Sequence, residues 1–260
     1  MADYQYLGVS VEEKVCTLTI SNPPANLLSK AVLSEINGFL DGLAKDPSVK
    51  VLILTGAGTF FIVGADIKEI AGLKGQAEGT EASSLGQMVI GKLEKLPIPT
   101  IAAINGHCLG GGNELVMACT IRIANERARF GQPEISLGIL PGFGGTQRLP
   151  RLIGLSRALE LMLTGDMINA KAAEAMGLIS RALPEADLMK QAMGLAKKIA
   201  GKSRPAIERI LRLAREGVSM PLDQALKLEA QLFGELCATE DMKEGLKAFL
   251  EKRQPKFKDR

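Results

Sequence analysis

Tryptophan is absent from the 260 residues, tyrosine occurs only twice, and aromatics make up 4% of the chain. Any core must therefore be packed from Leu, Ile, Val, Ala and Met. There is a single histidine, His107, too few to build a His-rich zinc or iron site. No Gly-x-Ser-x-Gly elbow exists to supply a nucleophile for it, which removes a Ser–His–Asp hydrolase; His107 reads as a packed turn residue. The four cysteines, Cys16, Cys108, Cys119 and Cys237, are scattered without metal-ligand spacing. Two lie in core-like segments, so buried, reduced thiols and a cytoplasmic location are expected. Cys108 sits at an apolar strand end and reads as inert rather than nucleophilic. Neither charge sign dominates, with 32 Lys plus Arg against 29 Asp plus Glu and a net charge of +3. That gives no footing for nucleic acid as a partner, because no aromatics interleave with the basic residues. Gly, Pro and charges interrupt every apolar stretch before membrane-spanning length, and Met1–Gly8 lacks a basic segment followed by an apolar one. Neither a membrane nor a secretory signal is expected.

What is present divides in two. Residues 15–20 and 49–55 are short β-branched runs, the second ending in Gly56-Ala57-Gly58. Between them, apolar residues at 32, 33, 36, 39, 40 and 43 follow a helical period opened by Ser29. Further strands are expected at 100–104, 121–124 and 128–130, with a short apolar helix over 113–119. This alternation of strand and helix with glycine corners is an α/β pattern. Gly72 to Ser84 reads as a mobile loop or a marginal helix. Beyond Gly142 helices dominate. Stripes run through Leu188 to Ile199, Ile207 to Val218, Leu222 to Leu236 and Met242 to Leu250. These faces exceed what one chain can bury, so a neighbouring subunit is expected. We divide the chain into a core, 1–195, and a helical region, 196–260.

Candidate chemistry gathers at the glycines. Gly110-Gly111-Gly112 at a strand-to-helix junction carries a high backbone entropy cost. It serves either a tight turn or a ligand oxygen approaching the unpaired N–H groups of a helix start. No Gly-Lys-Ser or Gly-Lys-Thr follows, and no Gly-x-Gly-x-x-Gly with an acidic partner is present, so phosphate cradling is not indicated. Glu114 stands in the first turn of the apolar helix, where a plain dipole partner is the bland alternative. Glu134 stands in a loop-like Gly-Gln-Pro-Glu segment ahead of Gly142, Gly144 and Gly145. Two carboxylates in apolar, glycine-lined surroundings can hold different protonation states near neutrality.

At these residues the chain resembles the crotonase (enoyl-CoA hydratase/isomerase) superfamily. The resemblance runs through Asn22-Pro23-Pro24, Phe61 to Lys68, Ala103 to Glu114, Phe130 to Glu134, Leu140 to Leu149 and Glu244 to Arg253. Each piece alone is weak; their order over nearly the whole length is specific. The resemblance implies a spiral of ββα units with a C-terminal helical trimerisation region, trimers pairing into hexamers. It implies an acyl-CoA thioester as substrate, whose carbonyl is held by the N–H groups of Ala65 and Gly111. Losing one donor of that kind costs on the order of 3 kcal/mol of barrier.

Family hydratases carry two glutamates, and Glu114 and Glu134 have the hydratase spacing. Glu114 is implied to take a proton from water as it adds at C3, and Glu134 to protonate C2, in reversible hydration of a trans-2-enoyl-CoA within fatty acid β-oxidation or a related pathway. Gly64, Asp66, Ile67, Lys68, Gly142, Phe233 and Lys252 match substrate-contact positions; the rest of the basic tail is assigned to solvent. No metal or redox cofactor is implied, coenzyme A being part of the substrate. The alternatives are an isomerase or a specialised acyl-CoA hydratase on the same scaffold and, from another class, an RNA-binding protein built on it. Ile62-Val63 and Asn113 depart from the usual residues beside the amide donors, which bears on acyl specificity.

Overall fold

The computed structural model describes residues 4–260. A six-stranded sheet runs in the order β1 (Leu7–Glu12), β2 (Val15–Ile20), β3 (Val51–Gly56), β4 (Thr100–Ile104), β6 (Ile121–Asn125), β9 (Arg181–Leu183). Only β1 is antiparallel to its neighbour, joined through a tight turn at Glu13 and Lys14, both with positive φ. The remaining pairs are parallel. Every residue of β3 and β4 is buried, as expected of parallel strands covered on both faces.

The period-2 alternation sorts the sheet's side chains into two cores. Val15, Val51, Ile53, Ile101, Ala103 and Ile123 face helix α8 (Leu188–Ala200), which contributes Leu188, Ala192, Ala196 and Ala200. Leu18, Ile20, Leu52, Leu54, Ala102 and Ile104 face the larger core, which includes α1 (Lys30–Leu43) and α4 (Gly111–Met117). Helix α1 begins where its pattern indicated: Ser29 Oγ accepts from the Val32 N–H at 3.3 Å, and Val32, Leu33, Ile36, Phe39, Leu40 and Leu43 are its buried residues.

A second sheet of three short strands, β5 (Cys108–Leu109), β7 (Arg129–Gly131) and β8 (Ile168–Asn169), lies beside the first. Ile62 extends it by a bridge to Cys108. Strand β4 thus passes to β5 and then α4, and β6 passes to β7, a 3-10 turn over Pro133–Leu137 and α5 (Gly145–Ile153). Each unit places one strand in each sheet and turns the corner through glycine or asparagine.

Several boundaries differ from expectation. Of the two readings of 72–84, the helical one holds from Gln76 and runs further than expected: residues Gln76–Glu94 form α3, nineteen residues long, anchored by Val89, Ile90 and Leu93. The short apolar helix starts two residues early, at Gly111, so the glycines lie inside its first turn. The division at 195/196 falls within α8, which is continuous and packed on the sheet; the change of character comes at Gly201–Ser203. Helices α9 (Arg204–Gly217), α10 (Leu222–Cys237) and α11 (Glu240–Leu250) follow. The remaining helices are α2 (Ile67–Ala71), α6 (Leu155–Thr164) and α7 (Ala170–Met176), the last two contributing Ala158, Leu161, Met162, Ala170 and Ala173 to the larger core. The basic tail keeps its Lys and Arg side chains exposed to solvent, as expected, while its backbone and Asp259 are tied down. Arg253 pairs with Glu244 at 2.6 Å, Asp259 pairs with the buried Lys50 at 2.6 Å, and the Asp241 carboxylate accepts the Lys258 N–H at 2.7 Å. Among the described residues no helix is long and apolar enough to cross a membrane.

Candidate active site

Each of the three consecutive glycines is required for a different reason. Gly110 has φ +51° and ψ −126°, a conformation closed to side chains. A Cβ there would also stand 2.8 Å from the Glu134 Oε1. A Cβ on Gly112 would collide with the Ile62 carbonyl, so the bridge between Ile62 and β5 needs its absence. A Cβ on Gly111 would lie 3.2 Å from the Phe143 ring and 3.4 Å from the Ala65 nitrogen. Turn and ligand explanations therefore meet at one spot.

The Ala65 amide reaches that spot through a chain of backbone constraints. Leu28 bridges to Ala65 using the Gly64 carbonyl (2.9 Å) and the Asp66 N–H (3.3 Å), and the Ala65 N–H between them has no acceptor among the described residues. Gly111 opens α4, so its N–H has no intrahelical acceptor either. Two amides without an acceptor thus belong to segments that approach closely, a Cβ on Gly111 falling 3.4 Å from the Ala65 nitrogen. Asn26, which sequence reading passed over, holds the approach. It is buried, and its side-chain amide lies 2.9–3.0 Å from the carbonyls of Ala57, Phe60 and Phe61. The signal was the Asn-Pro-Pro turn four residues earlier, whose Asn22 N–H donates to Asn26 Oδ1.

Glu114, one turn into α4, is 1% exposed. Its Oε1 accepts the N–H groups of Phe143 (2.8 Å) and Gly145 (2.6 Å). Burial pushes its pKa up to about 7; the charge of Glu134 adds to the rise, while the two amides and Arg148 oppose it. A group with that value exchanges protons near neutrality. Glu134 sits in the 3-10 turn, its Oε2 buried without a hydrogen-bond partner, and burial raises its pKa as well. The phenyl ring of Phe143 fills the space between Gly86 of α3 and Gly111, each of which would clash with or crowd it if given a Cβ.

The chain matches the family model for enoyl-CoA hydratase/isomerase over residues 10–260. It belongs to that family. A probable enoyl-CoA hydratase of Bacillus subtilis strain 168 is 47% identical over 253 residues, covering 97% of this chain and 98% of the relative. A crotonyl-CoA hydratase of Syntrophomonas wolfei is 43% identical over 256 residues, with 98% of each covered. The crystal structure of an enoyl-CoA hydratase from Bacillus anthracis superposes with a TM-score of 0.95 at 40% identity, covering 98% of this chain and all of that one. The fold is thus the crotonase-like α/β architecture, with its C-terminal helices present.

Of the residues singled out from sequence, the structure gathers Gly64, Ala65, Gly111, Glu114 and Glu134. Gly142 adjoins Phe143 in the loop over Glu114. The Asp66 carboxylate caps α2 by accepting the Lys68 N–H at 2.9 Å, and Ile67 and Lys68 are exposed just outside. Phe233 and Lys252 are not brought to the glutamates. Phe233 is 68% exposed on α10, which packs mainly on α9 and α11, and Lys252 lies just past α11. His107 is half-buried with its ring edge-on to Phe60. Cys108 is fully buried and its thiol pKa is driven up by burial, the state of an unreactive thiol.

Proposed function

We propose that this family member is an enoyl-CoA hydratase that adds water reversibly to a short trans-2-enoyl-CoA. The thioester carbonyl would accept from the Ala65 and Gly111 amides. Glu114 takes a proton from water as the oxygen bonds to C3, the C2–C3 electron pair moves toward the carbonyl, and Glu134 delivers a proton to C2. The product is a 3-hydroxyacyl-CoA, and the glutamates exchange roles in reverse. As negative charge grows on the thioester oxygen, two preorganised donors stabilise it more than they stabilise the ground state. One observation supports this reading: the Ala65 and Gly111 amides, the buried Glu114 and the half-buried Glu134, both carboxyls with raised pKa values, border closely spaced glycines.

An isomerase on this scaffold would leave one of the two glutamates without a task, so their joint presence favours hydration. A short acyl chain is supported by the Phe143 ring beside Gly111 and by the name of the Syntrophomonas relative. The proton transfers proposed call on no metal or redox cofactor. We further propose a homo-oligomer, a trimer or a dimer of trimers, supported by Leu222, Phe249 and Leu250, which are 74–81% exposed. Phe233 and Lys252 would then meet the coenzyme A of a neighbouring subunit. Buried free thiols at Cys16, Cys108 and Cys119 support a cytoplasmic location.

Incubation with crotonyl-CoA should bleach the absorbance of the conjugated thioester. Glu114→Gln and Glu134→Gln should each slow that loss by about 10²–10⁴-fold. No loss with crotonyl-CoA or any longer 2-enoyl-CoA removes the proposal.

A further inference from the structure

We propose that Ser83 and Gln87 of helix α3 are positioning residues for Glu114, holding the Gly142 carbonyl so that the N–H of the same peptide is aimed at the carboxylate. Resting on the hydratase reading for its kinetic arm only, this inference starts from the planarity of one peptide group. The Gly142 C=O and the Phe143 N–H belong to a single rigid unit and point in opposite directions. On one side, the carbonyl accepts from Ser83 Oγ at 2.6 Å and from Gln87 Nε2 at 2.9 Å. On the other, the N–H donates to Glu114 Oε1 at 2.8 Å. Rotation of that peptide would break all three bonds together. Donors on the carbonyl also polarise the peptide and strengthen its N–H as a donor.

The grip is wider than one peptide. Gln87 Nε2 also donates to Ser83 Oγ at 3.2 Å, locking the two side chains to each other. Between them on the same helical face, Gly86 leaves room for the Phe143 ring. The next carbonyl, that of Phe143, accepts from Arg148 Nη1 at 3.1 Å, and Arg148 is held by Glu94 of α3 at 2.6 Å. Neither Ser83 nor Gln87 has a charge or a hydrogen bond to Glu114, so their link to it runs through the peptide. The charged groups that face Glu114 are Glu134 from the 3-10 turn, which raises its pKa, and Arg148 from α5, which lowers it. Neither is hydrogen-bonded to Ser83 or Gln87.

The test is the titration of Glu114 in Ser83→Ala, Gln87→Ala and the double variant, read in two ways. The acidic limb of kcat/KM should move to higher pH by about one unit in the double variant, a tenfold change in proton affinity, because a carboxylate loses one charge-assisted donor. Rate at neutral pH should fall through kcat while KM stays within about twofold, and Ser83→Thr, which keeps the hydroxyl, should restore the wild-type limb. Independently of any substrate, 13C NMR of the Glu114 carboxyl, assigned by its loss in Glu114→Gln, should show the same upward shift of midpoint. The single variants keep one anchor each and should shift less. Should the double variant not fold, the singles still decide the matter: midpoints unmoved in both overturn the inference. A kcat loss with no movement of either titration also overturns it. A moved NMR midpoint without hydratase activity sinks the hydratase reading and leaves this one standing.

Discussion

Glu114 illustrates how a side chain's surroundings set its chemistry. Alone in the first turn of a helix it would be an ordinary dipole partner, held ionised. Here burial outweighs two amide donors, and the protonated form persists to about pH 7. A pKa raised on folding means the folded state binds more protons than the unfolded chain between about pH 4.5 and 7. Stability contributed by that proton is therefore complete below the unfolded value and lost as pH rises through the folded one. Glu114→Gln should remove this dependence and stabilise the protein at pH 8 by on the order of 1–3 kcal/mol, with little effect at pH 4.5. Chemical denaturation at the two pH values measures it; equal shifts at both would contradict the assignment. Phe143 acts through volume instead. Phe143→Ala keeps the backbone N–H on Glu114 and empties the space beside Gly111, so the kcat/KM ratio of octenoyl-CoA to crotonyl-CoA should rise by about tenfold or more.

At the scale of elements, the site is assembled by segments with little regular structure of their own. The loop 57–61 and the bridge at Ile62 hang on the Asn26 amide and on glycines where chains touch, such as Gly106, whose Cβ would collide with the Thr59 carbonyl. Asn26→Ala should cost about 2–3 kcal/mol by stranding buried carbonyls and should lower activity by displacing Ala65; unchanged melting with full activity would refute the role. Helix α3 makes the converse point. Its glycines and small polar residues give it poor intrinsic propensity, so the segment reads as loop or marginal helix. The helix forms because Val89, Ile90 and Leu93 are buried in the core and Gly86 must admit Phe143. Strand β1 carried an alternating signal that went unread, Leu7, Val9 and Val11 against Gly8, Ser10 and Glu12, weak because this edge strand buries little more than Leu7.

For the whole molecule, the C-terminal helices leave apolar side chains in water that no other part of this chain covers. Val218, Leu222, Phe249 and Leu250 are 74–85% exposed, and in the homo-oligomer proposed above they would be covered by a second copy. Light scattering should give three or six times the 27.7 kDa chain mass. Phe249→Asp with Leu250→Asp should reduce it to the monomer while leaving far-ultraviolet circular dichroism intact; a monomeric wild type would refute the interface.

The α/β class, the helix opened by Ser29 and the buried strands were legible in the residues, because hydrophobic period and capping are local, and the linear motif order singled out Glu114 and Glu134 as candidates. What the linear order leaves open is which backbone groups remain unpaired and which carbonyl each loop amide opposes. The close approach of Ala65 to Gly111, the two amides on Glu114 and the Gly142 anchors on α3 join residues 29 to 59 positions apart in the chain. Only tertiary packing brings these together, since close approach without a Cβ and desolvation of a carboxyl exist nowhere in an extended chain.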